Sequence, residues 1–265
     1  MAETWNKFGH TIENYMEVTS NSYVSDWPIM GCKAVLANII AYILFVKYIG
    51  PKFMKFKKPY ELTNLIRIYN LFQIVSCAIL VFKLVQIDRS TIELGFTCKQ
   101  VQLNNQVAYY FWWTMCLKLT EFLETIFFVL RKKQSQVSNL HVYHHVSTYF
   151  LMWYATKYAS VPLVAFYIIL NSAVHILMYS YYMLANFGNK TVLRLLQKIK
   201  KYITIIQMVQ FTIILAHSCQ VLVPKCPNSK AVILNLILLF IPNVTLVYYM
   251  FLNFYRQSYV KKVNN

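Results

Sequence analysis

Charged residues are scarce in this 265-residue sequence, making up 13% of it against 58% hydrophobic and 17% aromatic. That balance excludes a soluble domain of ordinary composition, in which about a quarter of the residues carry charge. Acids are the scarcer sign, with 9 Asp and Glu against 26 Lys and Arg. Internal repeats and low-complexity tracts are lacking, and no polar stretch is long enough for a soluble domain. The N-terminal segment is polar through Asp26, without a basic region followed by an apolar core and a small-residue cleavage site, so no cleaved leader is expected. The apolar runs also lack the alternation of barrel strands. Helices, which satisfy their own backbone in lipid, are the expected spans.

What is present is a set of seven apolar runs, at 28–50, 65–87, 107–130, 140–158, 162–185, 202–222 and 231–254. Each is close to the length that crosses a hydrocarbon core of about 30 Å. The expectation is an all-α membrane protein forming one domain over 1–265. Residues 1–27 would precede the spans, 28–254 would hold all seven, and 255–265 would form a tail. Charge alternates between successive connections. Loop 51–64 with Arg67, loops 131–139 and 186–201, and the C-terminal tail hold 16 of the 26 basic residues against one acid, Glu61. The other side is nearly neutral. The positive-inside rule makes the basic loops cytoplasmic, placing the N-terminus outside and the C-terminus in the cytosol. The net charge of +17 then orients the chain and meets anionic lipid, and nucleic acid is not expected as a partner. A phosphate-bearing cytosolic substrate could use the same surface.

The stretch NLHVYHHVSTYF, residues 139–150, places three of the six histidines at the cytosolic start of the fourth run. On a helix His141, His144 and His145 share one face, with Thr148 continuing the stripe. Polar side chains inside a span are expensive and point into a bundle or cavity. Other runs supply groups at similar depth. KLTEFLETIFFVLRKK puts Lys118, Glu121, Glu124 and Thr125 on one arc, with Arg131 and Lys133 at its end. NSAVHILMYSYY aligns Asn171, His175, Met178, Tyr179 and Tyr182, and KKYITIIQMVQF adds Gln207 and Gln210. His217 lies near the opposite end and is expected to be structural. Four runs thus aim polar groups at one third of the bundle.

Those blocks resemble the ELO family of fatty acid elongases, membrane enzymes that condense a long acyl-CoA with malonyl-CoA. The resemblance rests on 118–133, the HxxHH box at 141–145 and NxxVHxxMYxYY at 171–182. It continues in GPKFMKFKKPYEL, YITIIQMVQF and FLNFYRQSYVKK, covering the chain from about Trp27 onward. Two blocks depart from the pattern: NSYVSD stands where a DPR motif is usual, and Glu124 replaces the usual aspartate. Membership implies that spans 2–7 form a barrel-like bundle around an acyl channel open to the cytosol. It implies a 3-ketoacyl-CoA synthase, an acyltransferase of fatty acid biosynthesis, that releases CO2 and CoA. His144 would be the nucleophile, forming an acyl-imidazole, with His175 as partner at condensation and His141 and His145 in support. Lys118, Glu121, Glu124, Arg131, Lys133, Asn171, Tyr179, Tyr182, Gln207 and Gln210 would contact substrate. No bound cofactor and no metal is expected, since acyl-CoA and malonyl-CoA are the substrates.

A membrane di-iron oxygenase also carries HxxHH, but only His141, His144, His145 and His175 lie at suitable depth, too few ligands for two irons. A seven-span receptor fits the topology but not the motifs, since DRY and NPxxY are absent. Residence in the endoplasmic reticulum membrane follows from the resemblance, with Lys261 and Lys262 near the C-terminus consistent with retention. The reductases and dehydratase of an elongation cycle, and a second copy of the chain, are the expected protein partners. Cys116 faces away from Lys118 on a helix and is not expected to act as nucleophile. Cys98 and Cys226 fall in connections on the non-cytosolic side, where an oxidising lumen would let them pair as a disulfide.

Overall fold

The computed structural model describes residues 21–87, 104–219 and 236–260, to which the following statements apply. Those residues form helices and turns, with no strand among them. Seven long helices follow in chain order. They are α1 Cys32–Met54, with a wider π-helical turn at Phe45–Ile49, α2 Thr63–Ile87, α3 Asn105–Leu130, α4 Asn139–Tyr158, α5 Pro162–Ala185, α6 Lys190–Ser218 and α7 Ile241–Tyr255. π-Helical turns at Leu236–Phe240 and Arg256–Val260 flank α7. Several starts follow from local chemistry. Asn104 accepts from the N–H of Gln106 and Val107, Ser138 from His141, and Asn189 from Thr191 and Val192, which satisfies amides that a helix leaves open at its start.

Five helices are long and apolar enough to cross a membrane: Cys32–Met54, Thr63–Ile87, Val164–Ala185, Lys190–Ser218 and Ile237–Val260. The chain is a multi-pass membrane protein. The sequence predicts two further spans, and α3 and α4 occupy those positions without being in the apolar set. Their 26 and 20 residues reach about 39 Å and 30 Å at 1.5 Å per residue, so length is not what separates them. Composition does: α3 carries Lys118, Glu121 and Glu124, and α4 carries three histidines.

These two helices pack on each other, and α3 also touches α2 and α1. α2 lies along α5, α5 on α6, α6 on α7, and α7 returns to α4. The main core runs along α3 and α4 through Phe111, Met115, Phe122, Tyr149 and Trp153. α1 approaches α3 closely at Gly50, where a Cβ would lie 2.7 Å from Val129 Cγ1. Any larger residue there would push the two helices apart.

Two boundaries differ from the sequence reading. Residues 190–201, expected as loop, are the opening turns of α6, with Leu196 buried while Lys190, Arg194, Lys198, Lys200 and Lys201 are exposed. Hydropathy drops where the chain leaves the apolar layer, but a helix needs only one buried stripe to continue. Helix also continues into the expected tail, as far as Val260. Residues 21–27 are docked on the bundle: Asn21 N–H donates to Lys157 O at 2.7 Å, and Val24 is fully buried. Cys98 and Cys226, with the disulfide expected between them, lie outside the described residues.

Candidate active site

Glu121 has no exposed surface, so its carboxylate requires compensation from neighbouring charge and hydrogen bonds. One turn earlier on α3, Lys118 Nζ donates to Glu121 Oε1 at 2.8 Å, and it also donates to Asn171 Oδ1 of α5 at 3.0 Å. His175 Nδ1, one turn beyond Asn171, stands 3.3 Å from the same Glu121 oxygen. From α4, His145 places Nδ1 3.6 Å from Glu121 Oε2 and Nε2 3.6 Å from Glu124 Oε2. Three helices therefore converge on one buried carboxylate. Helical spacing on each of them, at 118–121–124, 141–145 and 171–175, makes this geometry possible.

His141 sits against His145, ring centroids 4.3 Å apart, and its Nε2 lies 3.0 Å from Thr125 Oγ1. Thr125 Oγ1 in turn lies 2.7 Å from the hydroxyl of Tyr42 on α1. His144 turns the other way and lines a cavity of about 130 Å³. Of the four histidines at this depth it alone does so. Lys118, Asn171 and Gln210 share the polar end of that cavity, and its walls come from α3, α4, α5, α6 and α7. Along α4 the lining runs from His144 through Thr148, Leu151 and Ala155 to Ala159. That is about 22 Å at helical rise, with Tyr167 and Phe240 at the far end. The chamber is thus polar at one end and apolar along its length.

Residues 27–265 match the ELO: GNS1/SUR4 family. The chain belongs to the ELO family. It is 36% identical over 234 residues to a very long chain fatty acid elongase of Aedes aegypti, an alignment covering 85% of this chain and 64% of that protein. The chain therefore spans just under two thirds of that relative. Very long chain fatty acid elongase 4 of Mus musculus is 34% identical over 263 residues, covering 95% of this chain and 81% of the relative. The Homo sapiens elongase 4 is 34% identical over 260 residues, covering 94% and 79%.

Within this ELO-family chain the candidate residues separate into groups. Lys118, His144, Asn171 and Gln210 line the cavity, while Glu121, Glu124, His141, His145 and His175 pack behind it. Tyr179 is fully buried on a separate cluster with Tyr69 and Phe127, and its hydroxyl is 3.5 Å from that of Tyr69. Gln207 donates to Met178 Sδ at 3.5 Å and does not reach the chamber. Tyr182 is 37% exposed, and Arg131 and Lys133 lie past the end of α3 away from the lining. Cys116 lies outside the lining too, and His217 stacks on Phe166 with ring centroids 4.3 Å apart.

Tyr42 and Asn243 join the site, and Gln73 joins the neighbouring Tyr69 cluster, without having stood out in the sequence. Gln73 donates to Tyr69 Oη and Thr120 Oγ1, and the cavity residue Asn243 donates to Tyr143 Oη at 3.1 Å. Gln73 and Asn243 are amides inside apolar runs, a signal that the sequence does carry. Tyr42 gives no such signal, because tyrosine is common in apolar runs. Glu124, His141 and His145 offer ligand atoms all within 4.8 Å of one another, a two-histidine, one-carboxylate set of the kind transition metals accept. Outside the set, His141 Nε2 has Thr125 as a partner and His145 Nδ1 stands 3.6 Å from Glu121.

Proposed function

We propose that this chain is a fatty acid elongase that condenses a long-chain acyl-CoA with malonyl-CoA to give a 3-ketoacyl-CoA, CO2 and CoA. The observation that carries the reading is the position of His144 at the polar mouth of a long apolar chamber, beside Lys118, Asn171 and Gln210. An acyl tail fits an apolar tube, and a thioester needs a nucleophile and hydrogen-bond donors where the tube begins. In the first step a ring nitrogen of His144 attacks the thioester carbonyl. The C–N bond forms, the C–S bond breaks, and CoA leaves as the thiol with the imidazole proton. Malonyl-CoA then loses CO2, its enolate carbon attacks the acyl-imidazole carbonyl, and the C–N bond breaks, the departing imidazole nitrogen taking up one proton from solvent to restore neutral His144. Asn171 and Gln210 donate to the oxyanions, and the Lys118 ammonium attracts the malonyl carboxylate.

The packing circuit from α2 through α3, α4, α7, α6 and α5 supports a six-helix barrel around the channel, with α1 outside it. In this reading all seven helices span, the basic connections face the cytosol, and the protein resides in the endoplasmic reticulum membrane. Its 3-ketoacyl product goes on to reductases and a dehydratase.

Purified protein incubated with acyl-CoA alone tests the chemistry. One equivalent of CoA is released, the enzyme gains one acyl mass, and His144→Ala abolishes both signals. Wild-type enzyme that turns over with both substrates yet shows neither signal with acyl-CoA alone counts against the acyl-imidazole.

A further inference from the structure

We propose that Tyr42 of α1 is a positioning residue for the histidine cluster, fixing the tautomer of His141 through Thr125. The inference rests on the elongase reading for the activity it affects, but its geometry is independent of that reading. Tyr42 is 4% exposed and its ring stacks on Phe122 of α3, with centroids 4.1 Å apart and planes at 17°. The stack aims the hydroxyl at Thr125 Oγ1, 2.7 Å away, and Thr125 is fully buried and 3.0 Å from His141 Nε2.

Each hydroxyl has one hydrogen to place, and neither has another hydrogen-bond partner among the described residues. If His141 donated from Nε2 to Thr125 and Thr125 donated onward, the Tyr42 hydrogen would have no acceptor. If His141 and Tyr42 both donated into Thr125, the threonine hydrogen would have none. A buried polar hydrogen without an acceptor is costly, so the favoured order is Tyr42 to Thr125 to His141 Nε2. His141 then accepts at Nε2 and carries its hydrogen at Nδ1. The second histidine nitrogen commonly sets how the first behaves; Thr125 favours this tautomer, and the Tyr42 hydroxyl enforces it by donating into Thr125 Oγ1, which polarises the threonine O–H toward Nε2 and holds its rotor on His141. α1 is held in place for this by Gly50 against Val129 and by Asn38 Nδ2, which donates to Tyr149 Oη at 3.0 Å. The first helix is then part of the catalytic unit although it contributes nothing to the cavity wall.

Steady-state kinetics on full-length protein in detergent test the relay. Tyr42→Phe keeps the ring stack and removes only the hydroxyl. It lowers kcat about tenfold, the scale of one lost buried hydrogen bond, while KM for both substrates stays unchanged. Thr125→Val gives the same loss and Thr125→Ser restores activity to near wild type. Combining Tyr42→Phe with Thr125→Val costs no more than either alone, because both break one chain. Asn38→Leu removes a different tie of α1 and lowers melting temperature without this kinetic pattern. Retained kcat in Tyr42→Phe, or multiplying losses in the double variant, overturns the relay and leaves the elongase reading intact. Should Tyr42→Phe fail to fold, equal activity of the Thr125→Ser and Thr125→Val proteins overturns it instead. A wild-type protein that condenses no acyl-CoA overturns the functional reading, and the relay's catalytic role with it.

Discussion

Lys118 and Glu121 form an ion pair one helical turn apart on α3, 2.8 Å from nitrogen to oxygen, with side chains only 6% and 0% exposed. Such a pair is marginal as a source of stability, because desolvating both groups offsets their attraction. Removing one partner is a different matter. It strands the other charge inside the bundle.

Glu121→Ala therefore destabilises the protein by about 3–5 kcal/mol, the usual cost of breaking a buried pair, and also releases His145 and His175 from their shared anchor. Thermal unfolding in detergent reads the first effect and condensation activity the second. The double change Lys118→Met with Glu121→Leu recovers most of the melting temperature but none of the activity. Recovery of both would show that the charges serve the fold alone.

Glu124 stands 3.6 Å from His145 Nε2, longer than a hydrogen bond, so the contact tolerates small movements. Glu124→Asp keeps kcat within about threefold of wild type, whereas Glu124→Leu loses more than about tenfold by leaving His145 with one carboxylate. Equal activity in the two variants would remove Glu124 from the mechanism.

The set of Glu124, His141 and His145 makes metal content a decisive measurement. In the proposed chemistry these groups orient one another. Condensation activity therefore survives a strong chelator, and purified active protein holds far less than one transition-metal ion per chain. Stoichiometric metal that disappears in His141→Ala, together with activity restored by re-metallation of chelated wild type, would replace the hydrogen-bond account of this cluster with a coordination account.

How much of the fold and site is legible in the sequence depends on where each residue's partners lie. The convergence of α3, α4 and α5 can be read from spacing, since Lys118, Glu121 and Glu124, His141 and His145, and Asn171 and His175 each repeat at helical intervals inside apolar runs. Spacing cannot say which histidine faces the chamber. His144 does and His145 does not because adjacent residues point about 100° apart, and only the packing of α7 and α6 decides which direction is hollow. Tyr42 is hidden for a related reason: its partner Thr125 is 83 positions away, and no local pattern encodes that pairing. The early start of α6 escapes a hydropathy reading because hydropathy tracks the bilayer, whereas Leu196 is buried by contact with protein.

The far end of the chamber sets the last prediction. Tyr167 and Phe240 both line it and stack with centroids 4.7 Å apart at 14°, and Tyr167 is held by Ser218, whose Oγ lies 3.0 Å from its hydroxyl. A stacked aromatic pair braced by a hydrogen bond is a stiff stop, unlike a flexible aliphatic side chain that an advancing methyl group can displace. Phe240→Ala removes half of that stop, so the variant continues through at least one further round of extension. Ala155 sits partway along the wall, and Ala155→Phe fills the tube there, shifting the preferred substrate to shorter acyl chains while His144 still acylates with them. Gas chromatography of products from a panel of saturated, monounsaturated and polyunsaturated acyl-CoAs checks both directions in one experiment. Opposite shifts in the two variants support a tube closed at the Tyr167–Phe240 stack. Unchanged product length in Phe240→Ala, with activity intact, would place the limit elsewhere.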